Sequence, residues 1–264
     1  MTGEEQVYRT SLGVSTAETI SLMGQDLAAD FIGEVGFGEL SYRLITLRTP
    51  TPSQARLFDA VLVALADHGF TPTAIAARLT YLSAPESLQG ALASGLLGGG
   101  SRFLGVSEDT GRFIAEALSE RDQPTTPEGW DELANAAISR RRATGQLVPG
   151  LGHHLHKSGD PRVPRLIALA REERVYGPHL AFFEAMGRVA PEVAGRRLPL
   201  NGAGCCGAVL LDIGIPQALL RGTVLLARAA GLLGHIAEEI RFPVAGQVFA
   251  HVEGNALYID PAAE

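Results

Sequence analysis

The chain has 264 residues, 46% of them hydrophobic and 19% charged, and a formal net charge of −7. This is enough apolar material for a substantial core, in one large domain or in a large domain with a small lobe. The acidic balance argues against a general nucleic-acid binder, no stretch reaches the ~20 uninterrupted apolar residues of a membrane span, and the first residues are not the basic start of a signal peptide, so a cytoplasmic chain with neither kind of partner is expected.

Helical signals dominate in chain order. Two short β candidates, Ser41 to Leu47 and Gln247 to Tyr258, lie near the two ends. Between them, Ala55 to His68 reads as a helix behind a Thr51-Pro52-Ser53 start, followed by helices over Thr73 to Leu82, Ser87 to Leu97 and Thr110 to Ser119. Pro127 to Thr144 opens on Pro and Glu and ends in Arg140-Arg141-Arg142, which complements the helix dipole. Arg162 to Glu173, Gly177 to Val189, Gly204 to Ile213 and Pro216 to Ile240 complete a mostly α inventory. The last of these is apolar around most of its circumference, as a helix buried in a large core or a subunit interface would be, and a homodimer is expected. Cys205 and Cys206 are adjacent, so they are poorly placed to bridge each other and supply neither a disulfide framework nor a metal quartet.

Polar chemistry concentrates in Val148-Pro-Gly-Leu-Gly-His-His-Leu-His-Lys-Ser-Gly-Asp-Pro-Arg162. Pro149, Gly150 and Gly152 break regular structure and let backbone approach a ligand closely. A neutral imidazole at His153 can polarise a carbonyl, and the Arg162 guanidinium can fork onto a carboxylate, a pairing suited to a small anionic keto or hydroxy acid. The alternative is a surface loop of solvated charges. His153, His154 and His156 are close enough for a surface metal site, yet no Cys or acidic partner stands at a zinc spacing, so no metal is expected. A second glycine-rich stretch, Gly95 to Gly105, could offer backbone N–H groups and Arg102 to an anion; with no Walker Gly-Lys-Ser/Thr after it, a tight packing turn is the other reading.

Together these segments resemble the citrate synthase superfamily, in particular its short citryl-CoA lyase-like members and the C-terminal lyase module of ATP-citrate lyase. The resemblance runs from about Gly24 to Pro243. It is carried by Ala64-Leu-Ala-Asp-His-Gly69, by Gly95 to Gly105 with its Arg-Phe pair, by the Gly-x-Gly-His…Asp-Pro-Arg loop, and by Leu200-Asn-Gly-Ala-Gly204 followed by Gly214-Ile-Pro216 and Ala227-Arg-Ala-Ala-Gly231. It implies an all-α fold with a large helical domain (1–125 and 195–264), a smaller helical lobe (126–194) and a homodimer with sites between the lobes. It implies the making or breaking of a C–C bond between a thioester α-carbon and a keto acid carbonyl, with coenzyme A arriving as substrate and no separate cofactor. By the same resemblance His153 polarises the reacting oxygen and His68 contacts substrate. Arg162 and Arg228, with Arg241 as a further candidate, clamp carboxylates. Val148, Pro149, Gly150, Leu151, Gly152 and Lys157 contact coenzyme A, with Arg102 contributing. Arg228 interrupts an apolar helix, where an unpaired charge costs several kcal/mol, so a ligand or an ion pair must explain it.

The sequence departs from that pattern at the chemistry. The expected proton-transfer carboxylate falls on Ala203, and loss of such a group typically costs ~10²–10⁴-fold in rate. His154 stands where the family has an arginine, at a substrate-binding position, and Ser101 stands where the lyase segment has an aspartate. Three readings follow: a lyase using Asp212, Cys205, His154 or water for the proton; an enzyme acting on another CoA thioester or keto acid; or a citrate- or CoA-binding homologue that senses or regulates without turnover.

Overall fold

The computed structural model describes residues 7–119, 122–153, 155–195 and 198–261. A short antiparallel meander, β1 (Gly13–Ser15), β2 (Ile20–Leu22) and β3 (Gln25–Asp26), leads into α1 (Phe37–Thr46). Then come α2 (Pro52–Ala66), α3 (Pro72–Ser83), α4 (Leu88–Leu97), α5 (Val106–Ser119) and α6 (Pro127–Ala143). Helices α7 (Arg162–Glu172), α8 (Pro178–Ala194), α9 (Gly202–Asp212), α10 (Leu220–Arg241) and α11 (Ala245–Gly254) complete the chain. The all-α expectation holds.

Three helices begin at Thr-Pro pairs. Thr51, Thr71 and Thr126 each accept a backbone N–H from the first turn of α2, α3 and α6, and the following proline occupies a position whose missing N–H has no helical partner to lose. Thr51 also forms a capping box with Gln54, with contacts of 3.2 and 2.9 Å. The α2 helix ends at Ala66, so His68 lies just beyond it rather than inside it.

The two β expectations are corrected: both segments are helical over most of their length and neither forms a strand. Ser41 to Leu47 falls in α1, where Tyr42 is 1% exposed, meets Phe58 edge-on at 5.7 Å and donates to the Ile213 carbonyl at 2.7 Å. Burial on one helical face outweighs the local preference of its Tyr, Ile and Thr for strands. Gln247 to Tyr258 overlaps α11, whose first N–H groups, at Val244 and Ala245, are accepted by the Glu239 carboxylate at 2.9 and 2.8 Å. That cap comes from another helix.

The main core joins α2 and α5 to α10, with Phe58, Phe182, Phe183, Met186 and Leu210 fully buried. Ala134 and Ile138 of the expected small lobe belong to the same cluster as Phe113, which meets Phe182 at 6.1 Å between ring centres. A second cluster ties α3 and α4 to α10 through Ala74, Ala77, Ala91, Leu232 and Ile236. The segment Gln217–Arg241 is long and apolar enough to cross a membrane (mean hydropathy 1.3), but α10 packs against α2, α3, α4 and α5. Its expected burial is met on one face, while Leu233 and Ile240 stay exposed.

Candidate functional site

The polar loop folds back onto the start of α9. Gly150 and Gly152 adopt φ of 85° and 81°, a left-handed backbone that glycine takes without steric cost. The Gly152 N–H donates to Pro199 O at 2.7 Å, the Asn201 N–H to Gly150 O at 3.0 Å, and the Asn201 side-chain amide to Gly152 O at 2.9 Å. Asn201 Oδ1 caps α9 by accepting the Gly204 N–H at 2.8 Å. A Cβ on Gly204 would lie 2.6 Å from Gly150 Cα, so this crossing requires glycine.

The far end of the loop is pinned by Asp160, 3% exposed, whose carboxylate accepts from Arg162 Nε and Nη2 at 3.0 and 2.7 Å and from the Gly202 N–H at 2.7 Å. Burial alone would raise its pKa, but the guanidinium and that N–H hold the carboxyl well below the usual range. Arg162 Nη1 donates to Ala64 O at 3.1 Å. Arg162 is therefore largely committed within the protein, a pairing that sequence reading did not assign.

The loop, α9, the ends of α2 and α6, the starts of α3 and α5 and the first half of α10 line a cavity of about 980 Å³. His68, His153, Arg162, Arg228 and Ala203 all line it, as do Arg102, Lys157 and every residue from Val148 to Gly152. Arg241 does not; it lies exposed at the end of α10, its Nε on Ala237 O. His154 lies outside the described residues. Arg141 and Arg142 also line the cavity. Sequence reading gave them only a helix-dipole role; the Arg-rich last turn of α6 beside the loop was the signal available.

Arg228 is 5% exposed and donates Nε to Leu65 O at 3.3 Å, while its buried Nη1 has no hydrogen-bond partner. Burial lowers its pKa, Asp67 opposes the shift and the like charge of Arg162 adds to it. A buried guanidinium nitrogen with no partner, on a residue that lines a cavity, is costly in the free protein, and a bound anion would offset that cost.

His68, His153 and His156 form one imidazole cluster, with ring centres 4.5 to 5.8 Å apart and ligating nitrogens within 4.8 Å of one another. Such a grouping could hold a metal ion by proximity, but His153 does not fit that role. Its Nδ1 accepts the N–H groups of Leu155 and His156 at 3.1 and 3.0 Å, which leaves the proton of the neutral ring on Nε2. A metal on Nε2 would need the opposite tautomer. As arranged, Nε2–H is a hydrogen-bond donor.

The expected substitutes for the missing carboxylate are corrected by their surroundings. Asp212, with its side chain 1% exposed, accepts the N–H groups of Gly177, His179 and Leu180 at 3.0 to 3.1 Å and caps α8 instead of reaching the cavity. Cys205 and Cys206, on α9, are fully buried; burial pushes the first thiol well above its ordinary pKa and the second up to about 12. Among the described residues, Asp109 is the one carboxylate that lines the cavity, 3.2 Å from Arg112.

A family model described as citrate synthase, C-terminal domain, matches residues 7–243. The structure superposes on the citryl-CoA lyase of Hydrogenobacter thermophilus with a TM-score of 0.83 and 29% identity, covering 97% of this chain and 95% of that one. An aspartate-to-alanine variant of the Methanosaeta concilii ATP citrate lyase, solved in complex with (3S)-citryl-CoA, shares the fold at a TM-score of 0.77 and 23% identity, over 98% of this chain and 42% of that one. A probable ATP-citrate synthase of Caenorhabditis elegans is 24% identical over 96% of this chain but only 24% of its own length. The chain spans about a quarter to a third of the first curated relatives it matches. The chain belongs to the citrate synthase family, with a citryl-CoA lyase-like fold.

Proposed function

We propose that the protein cleaves the C–C bond of a citryl-CoA-type thioester, giving acetyl-CoA and oxaloacetate. The observation that carries this reading is that buried Arg228, whose Nη1 has no hydrogen-bond partner, lines the same cavity as His153, whose neutral ring carries its proton on Nε2. A substrate carboxylate would complete the guanidinium. The hydroxyl carbon of the citryl group then meets the histidine cluster. As the bond between that carbon and the thioester α-carbon breaks, the hydroxyl passes its proton to water or to the Asp109 carboxylate, and its oxygen becomes the oxaloacetate carbonyl. The electron pair passes to the acetyl-CoA enolate, which takes up a proton at carbon. His153 Nε2–H stabilises charge on the reacting oxygen, as an oxyanion donor does, and His68 orients the same substrate.

Arg102, Arg141, Arg142 and Lys157 supply a basic approach for the phosphates of coenzyme A. The Val148–Gly152 turn brings backbone close to the thioester arm. Arg162 acts chiefly through its pair with Asp160, keeping loop and α9 in register, so Arg228 carries most of the carboxylate grip. Enolate protonation falls to Asp109 or to water, because Ala203 cannot supply it. Residues 126–194 form the small lobe of this reading, with the cavity between it and the rest. The exposed Leu233, Ile240, Phe249 and Val252 of α10 and α11 are the apolar surface a homodimer would cover.

A second reading, a citrate- or CoA-binding homologue without turnover, is favoured by one observation. Ala203 lines the cavity with Ser107 Oγ fixed on its carbonyl at 2.7 Å, and none of Asp212, Cys205 or Cys206 reaches that space. Following acetyl-CoA and oxaloacetate after mixing citryl-CoA with the purified protein separates the two. Cleavage excludes the binder; ligand-induced thermal stabilisation without products excludes the lyase.

A further inference from the structure

The end of α2 is laid along one face of α10, and the last contact reaches the residue beside His68. Arg228 holds Leu65 O. About one turn further on, a Cβ at Gly231 would stand 1.9 Å from Ala66 O, so glycine lets the two elements close together. One more turn brings His235 Nε2 to within 2.9 Å of Asp67 Oδ1. Asp67 accepts the backbone N–H of Gly69 at 2.9 Å and that of His68.

Behind His235 stands Arg78, 1% exposed, which places Nε and Nη2 at 3.1 and 3.0 Å from His235 Nδ1. Arginine can only donate, so Nδ1 is the acceptor and the imidazole proton sits on Nε2, directed at Asp67. Arg78 is held in turn by Glu239 at 2.9 Å and by Glu238. Neither Arg78 nor His235 lines the cavity. Arg78, His235 and Glu239 are buried while Asp67 and Glu238 are half exposed, and burying the inner charges is expensive where apolar side chains would pack as well. This chain of contacts ends on the backbone of a site histidine.

We infer that Asp67 and His235, braced by Arg78, form a positioning relay that fixes the backbone of His68 and so the angle at which its imidazole meets the substrate. The activity arm and the citrate-affinity arm, read by calorimetry, rest on the proposed function. The remaining arm, amide hydrogen exchange at His68 and Gly69, does not. The Leu180 amide, held by Asp212 at the start of α8, is the remote reference.

The relay predicts that His235→Ala speeds exchange at His68 and Gly69 by about tenfold while Leu180 is unchanged, and weakens citrate. Where turnover is measured, kcat should fall by about 10²-fold, more than KM rises. His235→Gln, which can accept from Arg78 and donate to Asp67, should restore most of each loss. Should His235→Ala not fold, the near-isosteric Asp67→Asn must give the same local exchange change. Unchanged exchange at His68 and Gly69, or an equal acceleration at Leu180, overturns the relay whether or not citryl-CoA is cleaved.

Discussion

Asp160 and Arg162 form a two-point ion pair, and the same carboxylate takes the Gly202 N–H, so one buried aspartate ties the polar loop to the first turn of α9. A carboxyl held below its ordinary value of 3.8 stabilises the fold fully above the unfolded pKa and loses that contribution as pH falls through the folded one. Asp160→Asn should therefore cost on the order of 2–3 kcal/mol near neutral pH. In urea titrations across a pH series, the gap to wild type should narrow as pH drops below about 4. A gap independent of pH would contradict the assignment.

Arg228 predicts a trade between stability and binding. Replacing an unpaired buried guanidinium with an apolar side chain of similar length removes its desolvation cost, so Arg228→Met should melt at or above the wild-type temperature. The same variant should bind citrate at least about tenfold more weakly, since a charged contact to a carboxylate is lost. Calorimetry beside a thermal melt reads both. A destabilised variant that keeps citrate affinity would mean the residue is structural.

The two glycine crossings are sharp packing tests. Gly204→Ala drives a methyl group toward Gly150 Cα and Phe183, and Gly231→Ala drives one into Ala66 O. Each should destabilise by roughly 1–3 kcal/mol, a drop of several degrees in Tm for a chain of this size. Gly234→Ala, at a position with nothing within 4 Å, is the control on the same helix and should be neutral or slightly stabilising.

The thiols should be inert. With both cysteines fully buried and their pKa values raised, the native protein should react with an aromatic disulfide reagent only as fast as it unfolds, and show two thiols once denatured. Rapid labelling of the folded protein would reopen Cys205 as a proton carrier.

Much of this was legible in the sequence because local chemistry dictates it. Thr51-Pro52 announces a helix whatever surrounds it, and the turn at Gly150 and Gly152 announces a backbone that must bend. The placement of His68, His153, Arg228 and Ala203 around one cavity followed from motif order. What stayed hidden depends on partners distant in sequence. Tyr42 makes α1 helical by burying against Phe58; Glu239 starts α11 from the preceding helix; and Arg141 reaches the cavity rim because Nε on Leu147 O and the Phe113 ring hold it there. The meander of β1, β2 and β3 was missed because strands of two or three residues have no measurable period. Arg228 could be recognised as an unbalanced charge in an apolar helix, but only its geometry separates a guanidinium with an unpartnered nitrogen from an ion pair.

The most direct test is product formation from citryl-CoA by wild type and Ala203→Asp side by side. The lyase reading predicts acetyl-CoA and oxaloacetate in equal amounts from wild type, with the variant faster by up to about 10²–10⁴-fold as a proton-transfer carboxylate is regained. Binding of citryl-CoA by both proteins with no acetyl-CoA from either would contradict it.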